Sequence, residues 1–154
     1  MRIAVASDHA GFALKQRALE VVRQAGYDPI DLGSSSTEPV DYPDVAEKLG
    51  RALQNEEAER GILICGSGVG AAIAANKMRG IRAGLCHDTY SARQSVEHDD
   101  ANVLALGARV IGEELAVELI QTFLQARFNG EPRHVRRIGK VLALERRETG
   151  RGSG

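Results

Sequence analysis

Short apolar runs alternate with longer amphipathic stretches along this chain. Ile3–Ala6 precedes a helical spacing over Phe12–Gln24, Tyr27–Leu32 precedes Val45–Gln54, and Gly61–Cys65 precedes Ala71–Lys77. Arg82–Cys86 then leads to Tyr90–Glu97, and Val103–Leu106 to Glu113–Ala126. The strand-length runs are almost continuously apolar, as strands covered on both faces are. Gly26 and Gly130 fall just past helical patterns, where helices are capped, and Pro43 restricts the entry to the second helix. Because parallel crossovers are right-handed, helices must cover both faces. The expected fold is α/β, a Rossmann-like or flavodoxin-like three-layer αβα sandwich on a five-stranded parallel sheet of order 2-1-3-4-5.

After the fifth helix, Asn129-Gly130-Glu131-Pro132 breaks the chain, and a basic segment from Arg133 to Arg147 carries Ile138, Val141, Leu142 and Leu144 at helical spacing. A single helix beyond a complete sandwich has no core of its own, so residues 134–147 are expected at an interface with a second subunit, in a dimer or a tetramer. Residues 1–148 form one expected domain and 149–154 a disordered tail.

Composition narrows the possibilities. The 154 residues are 43% hydrophobic and 27% charged, as in ordinary globular chains. Lys plus Arg number 20 against 21 Asp plus Glu, so no overall basic field favours nucleic acid or an anionic membrane. No apolar run approaches the roughly 20 residues needed to span a bilayer. The first residues read as a strand rather than a secretory leader, and the two cysteines fit neither a zinc pattern nor a disulfide framework. A cytoplasmic protein without metal or cofactor is expected.

In doubly wound sheets, ligands bind beyond the carboxyl ends of the strands at the switch point, here between the first and third. That rule selects Ser7-Asp8-His9-Ala10-Gly11 and Cys65-Gly66-Ser67-Gly68-Val69-Gly70. The second is a strand-to-helix turn whose glycines let backbone amides approach an anion, though it lacks the Lys-Ser/Thr ending of a P-loop. Cys65 lies beside those amides, which favour thiolate over thiol, so it is a candidate base. Cys86 reads instead as a small buried hydrophobe. Asp8 and His9 either face the crevice or serve as a helix cap and a surface group. His98 near a helix end is either catalytic or a favourable charge there. Arg109, and Arg133 with Arg137 on one helical face, suit a phosphate or are solvated.

These pieces, with Asp41-Tyr42-Pro43, Ala74-Ala75-Asn76-Lys77, His98-Asp99-Asp100-Ala101-Asn102-Val103-Leu104 and Gly107-Ala108-Arg109-Val110, resemble the type B ribose-5-phosphate isomerases, in the same order from residue 2 to about Arg137. The resemblance implies aldose–ketose isomerisation through a cis-enediol. Cys65 would be the base between C2 and C1, and Ser67 with the amides of Gly66, Gly68, Val69 and Gly70 would hold the enediolate oxygens. His98, helped by Asp8, would open the furanose ring. His9, Arg109, Arg133 and Arg137 would grip the phosphate, a grip that draws on two subunits in that family, and Tyr42 would line the sugar pocket. Ala71 stands where one branch of the family has a glutamate base, which fits the cysteine type. Asp99 stands in the usual asparagine position, exchanging an amide donor for an acceptor-only carboxylate. Ser67 replaces a frequent threonine. Isomerases of allose 6-phosphate, galactose 6-phosphate or a tetrose phosphate, and a non-catalytic phosphosugar-binding module, are the alternatives.

Overall fold

The computed structural model describes residues 1–150. Strands β1 (Arg2–Ser7), β2 (Asp28–Asp31), β3 (Arg60–Cys65), β4 (Ala83–Leu85) and β5 (Val103–Gly107) form one parallel sheet. The helices are α1 (Phe12–Gln24), α2 (Tyr42–Gln54), α3 (Val69–Ala75), α4 (Thr89–Asp99), α5 (Glu113–Gln125) and α6 (Pro132–Thr149), with a 3-10 turn over His9–Gly11.

Successive residues of a strand point to opposite faces, so each central strand feeds two cores. Ile3, Val5, Ile62, Ile64, Leu104 and Leu106 pack against α1, α4 and α5, where Phe123, Leu119 and Val96 are fully buried. Ala4, Ala6, Leu63, Cys65 and Val103 face α2 and α3 through Leu49, Ala46 and Ala75. Each large side chain buried this way contributes about 1.5–3 kcal/mol.

Two expectations are corrected. The strand order is 2-1-3-5-4, not 2-1-3-4-5. All five residues of β5 are buried, whereas β4 has three residues, none of them buried. The interior slot goes to the strand that needs cover all round, and the short, half-exposed strand takes the edge. The neighbours β1 and β3, and hence the switch point, are unaffected. The terminal helix also runs through Thr149, which had been placed in the tail. Residues 151–154 of that expected tail lie outside the described residues. No helix among the described residues is long and apolar enough to cross a membrane.

One buried charge ties the switch point together. Lys15 on α1 is 1% exposed, and its Nζ donates to Asp31 Oδ1 at 2.6 Å and to the Ser34 carbonyl at 2.5 Å. The Gly33-Ser34 segment in turn brackets the end of β1: Ser7 N–H donates to the Gly33 carbonyl and Ser34 N–H to the Ser7 carbonyl, both at 2.6 Å. Lys15 therefore holds the segment beside which Asp8 leaves the sheet. Replacing Lys15 by Met leaves a buried carbonyl unpaired and is expected to lower stability by about 1–3 kcal/mol in urea denaturation. Arg51→Met, which breaks an exposed pair with Glu47 on α2, is expected to cost under about 0.5 kcal/mol. Equal effects from the two would mean that the Lys15 contacts do not anchor the fold.

Candidate active site

Cys65 is the last residue of β3, and the path taken by the next three residues is set by Gly68. Its φ is +80°, and a Cβ there would lie 2.6 Å from Leu85 Cδ1 and 2.9 Å from the Leu106 carbonyl carbon, so only glycine fits. The turn aims the Gly68 N–H at Cys65 Sγ, 3.1 Å away. A donor pointed at the sulfur complements the negative charge of a thiolate. Ser67 Oγ accepts the Val69 N–H at 3.2 Å, which leaves its hydroxyl proton for another acceptor. Two of the amides expected to hold substrate oxygens are thus occupied within the loop, that of Gly68 by sulfur and that of Val69 by Ser67.

The neighbouring strands bring further groups. Past the end of β5, Ala108 N–H donates to the Cys65 carbonyl and Arg109 N–H to the Gly66 carbonyl, each at 2.9 Å. These bonds fix Arg109 over the loop, with Nη1 3.4 Å from where a Gly66 Cβ would stand. Past the end of β1, Asp8 is buried and its Oδ1 accepts the Gly11 N–H at 3.1 Å. It serves as a cap and faces the crevice as well. The Tyr42 ring packs against Gly70, whose Cβ position lies 2.7 Å from Cζ. Asp8, Tyr42, Cys65, Ser67, Gly70 and Arg109, together with Gly66 and Val110, enclose a cavity of about 340 Å³, of the size that suits a small ligand. Val110, an exposed apolar side chain, was not anticipated; only its place next to Arg109 pointed to it.

His9 stands next to this crevice rather than in its wall. Its Nδ1 accepts the Val40 N–H at 3.2 Å, so the neutral ring carries its proton on Nε2 and can donate to an anion.

Four expected site residues lie elsewhere. His98 and Asp99 end α4, at the edge of the sheet where β5 begins, whereas Cys65 is at the opposite edge. A six-residue strand such as β3 separates those edges by about 17–20 Å. Asn129 N–H donates to the Glu97 carbonyl at 3.0 Å, which sets the start of α6, with Arg133 and Arg137, beside the end of α4. Arg133 pairs there with Glu131 at 3.0 Å. His98 stacks on His134, with centroids 4.1 Å apart. Within one chain, therefore, His98 is not beside Asp8, and Arg133 and Arg137 are not beside Arg109. The reason is topological: strand ends and helix ends fall on opposite edges.

A larger concavity of about 560 Å³ lies between α6 and the β4 edge, where Ile138, Val141 and Leu144 face Ile81 and Ala83. It also holds Asp99, and its Asn76, Arg82 and Ser95 already donate to carbonyls of the chain itself, whereas the smaller crevice holds the thiol and is the candidate chemical site. Cys86 is buried, and burial pushes its thiol up, opposed by a hydrogen bond with Ser95. That environment disfavours a reactive thiolate. No cluster of three His, Cys, Asp or Glu side chains among the described residues could hold a metal ion.

Comparison with known proteins identifies the family. The sequence model of the Ribose/Galactose Isomerase family matches residues 3–141. The chain is 44% identical over 146 residues to ribose-5-phosphate isomerase B of Escherichia coli, covering 95% of this chain and 97% of that protein. It is 46% identical over 132 residues to D-erythrulose-4-phosphate isomerase of Pectobacterium atrosepticum, covering 84% and 86%. The solved structure of Clostridium thermocellum ribose-5-phosphate isomerase B superposes with a TM-score of 0.93 at 47% identity, over 96% of this chain and 99% of that one. With a match along nearly its whole length and the same fold, this chain belongs to the Ribose/Galactose Isomerase family.

Proposed function

We propose that the chain is a cytoplasmic aldose–ketose isomerase of a small phosphorylated sugar, interconverting ribose 5-phosphate and ribulose 5-phosphate. One observation carries the reading: a thiol with a backbone donor aimed at its sulfur opens into a crevice that also holds a carboxylate and a guanidinium. The Cys65 thiolate takes the C2 proton of the open-chain aldose, the electrons shift onto O1 to give a cis-enediolate, the hydroxyl proton on O2 passes to O1, and the same thiol returns the carbon-bound proton to C1 as the C2 carbonyl forms. Negative charge develops on O1 and O2 in this step. The Ser67 hydroxyl and the loop amides not already engaged would stabilise that charge. His9 through Nε2 and Arg109 would hold the phosphate.

The remaining groups come from a second copy. His98, Arg133 and Arg137 stand a strand length from the crevice of their own chain, so a site containing all of them needs two chains. Exposed Val69, Ile73 and Leu85 near the crevice, and Val135, Val141 and Leu144 on α6, are surfaces that such a dimer can cover. The two free cysteines suit a reducing compartment. A second substrate reading, a tetrose 4-phosphate, is supported by the relative named for erythrulose 4-phosphate at 46% identity.

The direct test is isomerisation of ribose 5-phosphate in deuterated water, with erythrose 4-phosphate and allose 6-phosphate alongside. Wild-type protein is expected to turn over the pentose with deuterium entering at the transferred position. Cys65→Ala is expected to retain substrate binding but lose at least about a thousandfold in rate. Binding without turnover or exchange in the wild type would leave a phosphosugar-binding module, and turnover of the tetrose alone would move the substrate while keeping the chemistry.

The shared site has its own test. Cys65→Ala and Arg137→Ala, each impaired alone, are mixed after reversible unfolding. A mixed dimer then has one site with both wild-type groups, so the mixture should regain about a quarter of wild-type activity. If each site lies within one chain, mixing restores nothing.

A further inference from the structure

His134 is buried and takes no part in the steps above, yet its surroundings form a closed chain of contacts around His98. Its ring is 3% exposed and stacks on the His98 ring at 4.1 Å between centroids, with an interplanar angle of 21°. Its Nδ1 lies 2.9 Å from Asn129 Oδ1, and the same oxygen accepts the Glu131 N–H at 3.0 Å. A backbone N–H can only donate, so the shared Asn129 atom is the carbonyl oxygen and His134 Nδ1 must carry the proton. Asn129 in turn donates its own N–H to the Glu97 carbonyl, one residue before His98. The end of α4, Asn129, His134 and the His98 ring are thus linked in a loop, with each orientation fixed by the one before.

The electrostatics point the same way. Burial pushes His134 below the usual histidine range, and His98 and Arg133 push it further down, opposed by Glu131. Two stacked imidazoles resist carrying two charges. The other ring of the pair, His98, stands in the last turn of α4, at a helix C-terminus, where positive charge is favoured.

We propose that His134 is a positioning residue for His98: a neutral imidazole, tethered to Asn129, that clamps the His98 ring in the orientation from which it protonates a furanose oxygen. This rests on the reading of His98 as the ring-opening group. In that step, protonated His98 gives its proton to the ring oxygen as the bond from C1 to that oxygen breaks, and the C1 hydroxyl proton passes to Asp8 of the other copy. An aldehyde and a free hydroxyl result, and no oxidant or reductant is required.

The chemistry of the two substrates supplies the test. Ribose 5-phosphate is a furanose and must open, whereas ribulose 5-phosphate has its terminal oxygen blocked by phosphate and is already open. An enzyme that cannot open rings is fed by spontaneous opening, so its rate on the aldose stops rising with enzyme concentration while its rate on the ketose continues to rise. An enzyme that is merely less active scales with concentration in both directions. His98→Asn is expected to give this plateau. At high enzyme concentration, His134→Leu is expected to lower the ratio of aldose to ketose rates by about tenfold, part of the roughly hundredfold that a general acid supplies. Asn129→Ala, at an exposed position, should move the ratio in the same direction and decides the matter if His134→Leu does not fold. If His98→Asn plateaus and the other variants keep the wild-type ratio, the positioning role is overturned and the reading of His98 survives. If His98→Asn shows no plateau, both fall.

Discussion

In a sheet whose five strands run the same way, each strand delivers its last residue to one edge and each returning helix delivers its last residue to the other. This polarity sorts the chemistry of the chain into two groups. Asp8, Cys65 and Arg109 follow strands and meet around one crevice. His98 and Asp99 end a helix, and Arg133 and Arg137 open the helix that starts beside it. No loop movement within one chain brings the groups together, because the separation is the length of the strands themselves. In the proposed dimer, a second copy packed with its polarity reversed would bring one copy's helix ends to the other's strand ends, and twofold symmetry would make two such sites at once.

The contrast between the two cysteines follows from what lies just after each strand. Both are nearly fully buried and both end apolar runs. After Cys65 the chain turns back through a left-handed glycine, so an N–H faces the sulfur and the next residues open onto a cavity. After Cys86 comes His87, whose Nε2 accepts the Gly107 N–H at 3.0 Å and closes the end of the sheet over it. The thiol of Cys86 is left among apolar side chains and Ser95, where charge is disfavoured. The same residue type is therefore a candidate base in one place and packing in the other.

Those differences were largely legible in the sequence, because they depend on local pattern. Continuous apolar runs marked the strands, and Gly66-Ser67-Gly68-Val69-Gly70 marked the turn that exposes Cys65. Strand order was harder to read, since Arg82–Cys86 and Val103–Leu106 look equally apolar. Only the packed structure shows that Ala83 and Gly84 are half-buried and Leu85 is exposed while every residue of β5 is enclosed. Asp8 reads in the sequence as either a cap or a crevice residue, and it both caps the short turn and lines the crevice, because that turn begins there. His134 was passed over entirely. It sits among arginines in a basic segment, and nothing local distinguishes it from them; its burial arises only when α6 folds back onto the end of α4.

The same division bears on how such a site selects the length of its sugar. The crevice walls set by one chain hold the groups needed at the carbonyl end, namely Cys65 and Ser67, and the fixed loop geometry leaves that end little freedom. On the proposed shared site, a phosphate held by Arg133 and Arg137 from another copy would sit at a distance governed by how the two copies dock. Adding or removing one carbon moves the phosphate by little more than a bond length. In the proposed dimer, α6, which rests on its own chain through the buried side chains of His134 and Ile138, would be the element whose placement sets that distance. On the proposed shared site, substrate length would be a property of the interface more than of the catalytic loop, in keeping with relatives that carry different sugar phosphates in their names while each is nearly half identical to this chain over the matched residues.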